Sequence, residues 1–172
     1  MIHPLDANDL DRYIALRQRA LRECPLAFSA SAEDDFASSP ETLSRQLQKA
    51  PDWMIFVKSG GDAAALQGSV GLFRARHAKA GHRMHLWGMY VAPEHRGHGL
   101  GAQLLHAAIA HARSFGDVAW IDLGVTTAAP AAMQLYERTG FIPYGVLRDA
   151  LRFEGNSADE VFMTRSLMDG IF

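Results

Sequence analysis

The pattern of apolar and polar positions predicts helices in the first part of the chain and strands directly after them. Apolar residues repeat at helical spacing over 10–21 and again over 39–50, where Ser39 and Pro40 are typical of the first residues of a helix. Apolar segments of strand length follow, and the predicted strands are 53–58, 68–77 and 82–92, the first two joined by a turn at 59–62.

The rest of the chain alternates helices with strands. An apolar stripe at helical spacing predicts a helix over 98–114. The elements predicted after it are a strand at 118–125, a helix at 130–139 and strands at 145–153 and 160–167. Antiparallel strands followed by a strand–helix–strand–helix unit predict an α/β (α+β) fold, with one mixed sheet and helices on its faces.

Composition and charge narrow the classes of function. At 172 residues, 48% of them hydrophobic, the chain is long enough for one substantial core and short for two. The net charge of -2 gives no overall attraction to nucleic acid or to an anionic membrane, so an anion site must be local. Cys24, the only cysteine, excludes an internal disulfide and a multi-cysteine metal site. Without a leader-like start or a membrane-length apolar run, the sequence predicts a cytoplasmic protein.

The start of the helix at 98–114 lacks the acidic residues that usually favour a helix N-terminus. No Asp or Glu stands between Glu94 and Asp117, whereas Arg96 and His98 flank the first turn. Glycines allow positive φ and close approach of a ligand to the unpaired N–H groups of the first turn, and they stand here at 97, 99 and 101. This arrangement predicts a site for a phosphate or pyrophosphate.

Other interpretations of the same glycines remain open. They could form only a tight corner between strand and helix. Gly97, Gly99 and Ala102 also fit the dinucleotide pattern G-x-G-x-x-A, with Asp117 or Asp122 about 20 residues further on. The intervening stretch APEHR and the antiparallel strands before it argue against a dinucleotide site, and the absence of a following Lys-Ser or Lys-Thr excludes a P-loop.

The stretch MYVAPEHRGHGLGAQLL closely resembles the acetyl-CoA-binding motif of the GNAT superfamily of N-acetyltransferases. That signature is Arg or Gln, two residues, Gly, one residue, then Gly or Ala, and Arg96, Gly99 and Gly101 match it. The later stretch VTTAAPAAMQLYERTGF resembles the following strand and helix of the family, with its Leu-Tyr and Gly-Phe pairs at 135–136 and 140–141. The resemblance implies one N-acetyltransferase domain over 1–172, with the acetyl-CoA motif at 86–114 and the second motif at 118–141.

The resemblance also implies the fold and the cofactor. The family's sheet is mixed and mostly antiparallel, has six or seven strands, and is splayed between the fourth and fifth strands, where acetyl-CoA inserts as the acyl donor; no metal is implied. Main-chain groups of Met89, Tyr90 and Val91 are expected to hold the pantetheine and the acetyl carbonyl. The pyrophosphate is expected to lie on the backbone of Arg96, Gly97, His98, Gly99, Leu100, Gly101 and Ala102.

The same resemblance indicates candidate catalytic residues. Tyr136 matches the family's usual proton donor to the departing thiolate and is thus also expected to contact the cofactor, although its spacing on the helix also fits a core aromatic. The strand HLWGMYV carries none of the carboxylates that many family members use as base, and His85 is its nearest titratable group. Glu33, Asp34 and Asp35 lie in the region that shapes the family's acceptor site, where they could attract a cationic amine or simply form a solvated acidic surface. Ala129 stands where the family often has Asn.

Two classes of function therefore stay open. The first is an enzyme that transfers an acetyl group to a primary amine, which could belong to an amino acid, a polyamine, an antibiotic or a protein. The second is a module of the same fold that binds acyl-CoA as a sensor and catalyses little. A nucleic-acid or membrane partner is not predicted, and the resemblance leaves open whether the chain forms a homodimer.

Overall fold

Seven strands form one sheet in the computed structural model, which describes residues 1–60 and 65–168. The strands are β1 (Ile2–Pro4), β2 (Trp53–Ser59), β3 (Leu66–Arg74), β4 (Arg83–Val91), β5 (Trp120–Thr126), β6 (Ile142–Phe153) and β7 (Asn156–Ser166). Their order across the sheet is β1-β2-β3-β4-β5-β7-β6, and all neighbouring pairs are antiparallel except β4 and β5. The predicted mixed, mostly antiparallel sheet is confirmed.

Four helices cover the two faces of this sheet within the described residues. They are α1 (Leu10–Glu23), α2 (Pro40–Leu47), α3 (Leu100–Ser114) and α4 (Pro130–Arg138). The apolar stripe of α3 packs on one face, in a core with Phe56, whereas α1 and α2 pack on the other face with Ile55 and Val57. Neighbouring residues of β2 thus enter different cores, as the pleat of a strand requires.

Some bounds differ from the sequence prediction. β1 was not predicted, and β6 begins at Ile142 rather than 145, so that it includes Pro143. Because β6 is an edge strand, the missing N–H of this proline removes no bond from the interior of the sheet. α3 begins at Leu100 rather than 98. The turn predicted at 59–62 lies partly outside the described residues.

The strands β4 and β5 pair over only three positions and then separate. Their partners are Arg83↔Trp120, Met84↔Ile121 and His85↔Asp122, although β4 continues to Val91. Beyond this pairing, the register of β4 against β3 shifts around Gly88, whose φ is +61°. The predicted splay between the fourth and fifth strands is therefore confirmed, and it opens a gap in the middle of the sheet.

A charged cluster lies where the two strands are still paired. The buried carboxylate of Asp122 accepts hydrogen bonds from Nε of Arg83 at 2.6 Å and from the hydroxyl of Thr164 on β7 at 2.7 Å. Burial favours the neutral carboxyl, but these hydrogen bonds outweigh it and keep the pKa of Asp122 below its usual value. The cluster joins β4, β5 and β7, and it gives Asp122 a structural partner in place of the ribose expected in a dinucleotide site.

Asp122→Asn is expected to lower the free energy of unfolding by about 1–3 kcal/mol, because a neutral amide replaces the carboxylate that Arg83 and Thr164 bind. For a chain of this length, that loss corresponds to a fall of roughly 2–10 °C in the thermal midpoint. The matched control is Asp117→Asn, which removes an exposed carboxylate paired with Arg74 and should cost less than about 1 kcal/mol. Equal losses in the two variants would contradict the importance of the cluster.

The effect of Asp122→Asn should depend on pH. A carboxyl whose folded pKa is lowered stabilises the protein fully above its unfolded pKa, about 3.9, and loses this contribution as the pH falls through the folded value. The difference between parent and variant should therefore be largest at neutral pH and shrink below about pH 4. Thermal unfolding across this range measures it, and a difference that grows on acidification contradicts the assignment.

Candidate active site

A cavity of about 860 Å³ opens where β4 and β5 separate. Most of its walls are apolar side chains and backbone. They are contributed by the end of α1 and the loop after it (23–28), the end of β4 (89–91), the segment that leads into α3 (95–97 and 99–102), and the start and inner face of α4 (128–132, 135, 138 and 139). The cavity is thus lined mostly by apolar groups and reaches the start of α3.

The glycines at that helix start have two different roles. Gly97 and Gly99 have φ of +79° and +76°, and a Cβ on either would meet nothing within 4 Å. Gly101 has an ordinary φ, and its Cβ would lie 3.1 Å from a methyl group of Leu135. Gly97 and Gly99 therefore keep the backbone conformation and the open approach, whereas Gly101 makes room for α4. The first N–H groups of α3 have no partner within the helix and no acid in the first turn, so an anion fits there.

Arg96 is held across this helix start. Its Nε donates to the carbonyl of Val91 at 2.8 Å, and its guanidinium lies 5.7 Å from the centre of the Tyr90 ring. Arg96 therefore places a positive charge beside the start of α3, and His95 and Arg138 also line the cavity. The predicted His98 is exposed and does not line the cavity.

A second charged group lies at the end of α1. Glu23 accepts hydrogen bonds from the Tyr90 hydroxyl at 2.6 Å and from Arg19 at 2.7 Å. These bonds lower the pKa of Glu23, while burial and the same bond raise the pKa of the Tyr90 hydroxyl. Arg19 also binds both oxygens of Glu94, at 2.7 and 2.9 Å. Glu23 is thus an ionised, hydrogen-bonded carboxylate and a weak base.

Tyr136 lies behind the cavity wall. It is 4% exposed and packs its ring edge-on against Phe141, with the ring centres 5.7 Å apart. The side chains of Ala132, Leu135 and Thr139, on the same helical face, line the cavity directly. Burial raises the pKa of Tyr136, and none of the described residues forms a hydrogen bond with its hydroxyl. The phenol is therefore protonated at neutral pH and has a proton to donate.

Like Tyr136, the remaining predicted catalytic and acceptor residues do not line the cavity. His85 stacks on Phe73, with the ring centres 4.9 Å apart, in the part of β4 that pairs with β5. Glu33 is exposed, and the carboxylate of Asp34 accepts hydrogen bonds from the backbone N–H and the hydroxyl of Ser31. Of the predicted cofactor residues, all except His98 and Tyr136 line the cavity.

One wall of the cavity was missed by the sequence analysis. Residues 25–28, after α1, line it, and the hydroxyl of Thr126 on β5 donates to the carbonyl of Leu26 at 2.7 Å. This bond holds the loop over the gap between the strands. The sequence carries no local pattern that indicates such a contact, because its two partners lie 100 positions apart.

The cavity suits a long ligand with an anionic end. At the start of α4, Ala129 provides no side-chain cap, and Pro130 occupies the first turn.

Over the described ranges, no group of three or more His, Cys, Asp or Glu residues is placed to hold a metal ion. None of the helices in that same part of the chain combines the length and the apolar character needed to span a membrane.

Comparison with known proteins shows the same architecture. The model of the acetyltransferase (GNAT) family matches residues 15–141. A putative acetyltransferase from Salmonella typhimurium, solved with its cofactor acetyl-CoA, is 20% identical, with a TM-score of 0.81 over 100% of this chain and 96% of that one. A ribosomal-protein-alanine N-acetyltransferase from Brucella melitensis is 23% identical, with a TM-score of 0.82 over 97% and 99%. The spermidine N-acetyltransferase from Vibrio cholerae, in complex with CoA and spermine, is 22% identical, with a TM-score of 0.78 over 96% and 94%.

Proposed function

The chain belongs to the acetyltransferase (GNAT) family, and from this premise we propose that it transfers the acetyl group of acetyl-CoA to a primary amine. The observation that carries the proposal is the cavity between β4 and β5, which ends at the glycine-opened start of α3. The uncharged pantetheine arm of acetyl-CoA fits the mostly apolar lining of this cavity, and the adjoining pyrophosphate fits the helix start.

Each part of the cavity has a proposed role. The first N–H groups of α3, around Gly99 and Gly101, bind the pyrophosphate, and Arg96 adds a positive charge beside it. The backbone of 89–91 offers hydrogen bonds to the pantetheine, because β4 has no partner strand on the β5 side over this stretch. The loop at 25–28 excludes water from the other side. When bound, acetyl-CoA supplies a thioester carbonyl that an amine can attack.

Two proton transfers accompany the reaction: the thiolate gains a proton and the acceptor ammonium loses one. The chain offers a candidate side chain for the first transfer only. Tyr136 holds the proton that we propose is donated to the departing thiolate. Among the described residues that line the cavity, Glu23 is the only carboxylate, and it is already bound by Tyr90 and Arg19. The ammonium proton of the acceptor therefore leaves to solvent before attack. We expect kcat/KM to rise with pH up to the pKa of the acceptor amine.

The experiment that tests the function is a screen of acceptor amines with acetyl-CoA, in which the release of free thiol is followed. Amino acids, polyamines, aminoglycosides and peptides with free N-termini form the panel. Turnover that requires both acetyl-CoA and an amine supports an enzyme. Tight binding of acetyl-CoA without turnover on any amine would favour the acyl-CoA sensor instead.

Arg96→Ala is expected to raise KM for acetyl-CoA by about 3- to 10-fold, because an exposed charge-assisted contact with an anion is lost. The kcat at saturating acetyl-CoA should change little. The control is Arg22→Ala, which removes an exposed arginine on α1 that lies outside the cavity lining. The difference between the two variants should shrink at high salt, since the contact is solvent-exposed. An unchanged KM in Arg96→Ala would remove Arg96 from the site.

A further inference from the structure

A buried arginine near the cavity has an incomplete set of hydrogen bonds. Arg17 on α1 and Asp35 form an ion pair whose side chains are 7% and 0% exposed. Nε and Nη2 of Arg17 donate to Asp35 at 3.2 and 2.9 Å. Nη1 is buried and has no hydrogen-bond partner in the described part of the chain. An unpaired buried donor is unfavourable, and a ligand oxygen placed beside it would relieve that cost.

The unpaired nitrogen lies close to the point where β4 begins to line the cavity. It is 3.6 Å from the position that a Cβ on Gly88 would occupy, and Gly88 directly precedes the cavity-lining segment 89–91. The guanidinium carbon also lies 4.9 Å from the centre of the Phe28 ring, and Phe28 lines the cavity. Arg17 itself does not line the cavity, but its unpaired donor lies at the Gly88 end of the 89–91 segment, opposite the proposed pyrophosphate site.

A second buried donor belongs to Trp87, whose ring packs near Arg17. Nε1 of Trp87 also lacks a partner among the described residues, and the Trp87 ring centre is 5.9 Å from the guanidinium carbon of Arg17. The Trp87 ring packs against Trp53 and Phe36, with ring centres 5.5 and 5.2 Å apart. Two unsatisfied donors in aromatic surroundings suit a ligand that joins an oxygen acceptor to an apolar group.

The charges around the cavity disfavour a polyamine. A second or third ammonium group requires carboxylates, and Glu23 is the only one among the described lining residues. Glu23 already accepts from Tyr90 and Arg19. Near the 89–91 segment, the polar group that remains available is therefore the unpaired Nη1 of Arg17.

We propose that the acetyl acceptor is an α-amino acid with an apolar side chain, whose carboxylate binds Nη1 of Arg17. This inference rests on the proposed acetyl transfer and names its substrate class. Guanidinium and carboxylate form strong charge-assisted hydrogen bonds. In an α-amino acid the amine is one carbon away from the carboxylate, so a carboxylate bound beside Gly88 would leave the amine close to the 89–91 segment, where the pantetheine is proposed to bind. Because Arg17 and Asp35 neutralise each other, a zwitterionic amino acid adds no net charge to the buried site.

Matched pairs of acceptors test the proposal on the parent protein. Leucine, methionine and phenylalanine are each compared with the amine that lacks the carboxylate, at saturating acetyl-CoA, with spermidine and a peptide N-terminus as further acceptors. We expect kcat/KM for each favoured amino acid to exceed that of its amine by at least about tenfold. Equal or faster acetylation of the amines, of spermidine or of the peptide overturns the proposal and leaves acetyl transfer standing.

A binding measurement separates this proposal from the proposed function. If no acceptor is acetylated although acetyl-CoA binds, acetyl transfer fails, and the same amino acids are titrated into the CoA-loaded protein. Binding then changes the fluorescence of Trp87, and the change is lost in Trp87→Phe. No binding of any of the three amino acids overturns the carboxylate site.

Arg17→Lys provides the residue-specific test. Lysine keeps a cation beside Asp35 but removes the second terminal nitrogen, so the ratio of kcat/KM for amino acid over amine should fall towards one. The matched control is Arg12→Lys, on the same helix, where the arginine also pairs with a buried carboxylate, that of Asp9. If Arg17 has a purely structural role, the substitution lowers kcat/KM for the amino acid and for the amine by the same factor. The ratio then stays unchanged, and this result overturns the proposal. If Arg17→Lys does not fold, the comparison of amino acids with their amines on the parent protein tests the proposal.

Discussion

Tyr136→Phe is expected to lower kcat by about a hundredfold when the chemical step limits turnover. Phenylalanine keeps the ring and its edge-on contact with Phe141, so packing is preserved and only the acidic proton is removed. Because burial raises the pKa of Tyr136, the parent phenol is fully protonated throughout the range in which the enzyme would be assayed. The affinity for acetyl-CoA and the thermal midpoint should stay close to those of the parent.

The measurement for Tyr136→Phe is a single-turnover reaction, which separates chemistry from product release. Tyr144→Phe makes the same chemical change at an exposed tyrosine on β6 and should leave the rate unchanged. A parent-like single-turnover rate in Tyr136→Phe would show that this residue serves packing alone and that the leaving thiolate takes its proton elsewhere. A rate loss accompanied by a large fall in thermal midpoint would likewise point to packing.

Gly99→Val is expected to weaken the binding of acetyl-CoA at least tenfold, a loss of about 1.4 kcal/mol. The glycine has φ of +76°, and its Cβ position is open space at the start of α3. A branched side chain there occupies the approach to the first N–H groups of the helix and strains the backbone that presents them. Isothermal titration calorimetry with acetyl-CoA and with CoA measures the loss.

Gly116→Val is the matched control for this experiment. Gly116 has φ of +72°, and a Cβ there would also meet nothing within 4 Å, but it follows the opposite end of α3. Both variants carry the same backbone strain and should lose thermal stability to a similar extent, whereas only Gly99→Val should lose affinity. Equal affinities in the two variants would contradict a pyrophosphate site at Gly99. Tight binding of NADH without binding of CoA would instead support the dinucleotide interpretation.

The elements with a clear period were predictable from the sequence. Leu104, Leu105 and Ala108 are 0% exposed, as the apolar stripe of α3 requires. β1 was not predictable, because its three residues include His3 and Pro4 and are too short to show any alternation. They become a strand only because β2 offers them an unpaired edge.

The candidate site was predictable where it consists of backbone beside glycines, and less so elsewhere. The motif around Arg96 predicted the glycine-opened start of α3 that lines the cavity, because local sequence determines its conformation. The irregularity at Gly88 was not predictable, since it arises from the register between β4 and β3, which shifts between Ser69 and Gly71. The proposed role of Arg17 was not predictable either, because it depends on the missing hydrogen bond of its buried Nη1. That feature appears only in the folded packing around Asp35 and Trp87.

The short pairing of β4 with β5 also fixes the angle at which the two strands separate. The three paired positions lie at Arg83–His85, and the proposed acetyl-CoA contacts lie four to eight residues further along β4. Over six residues of strand, roughly 20 Å, a rotation of about 3° between the strands displaces the far end by about 1 Å. A displacement of that size can reduce the rate of a positioned reaction by about a hundredfold. Asp122, Arg83 and Thr164 join the strands at this pairing, so we expect substitutions there to change kcat even where the protein remains fully folded.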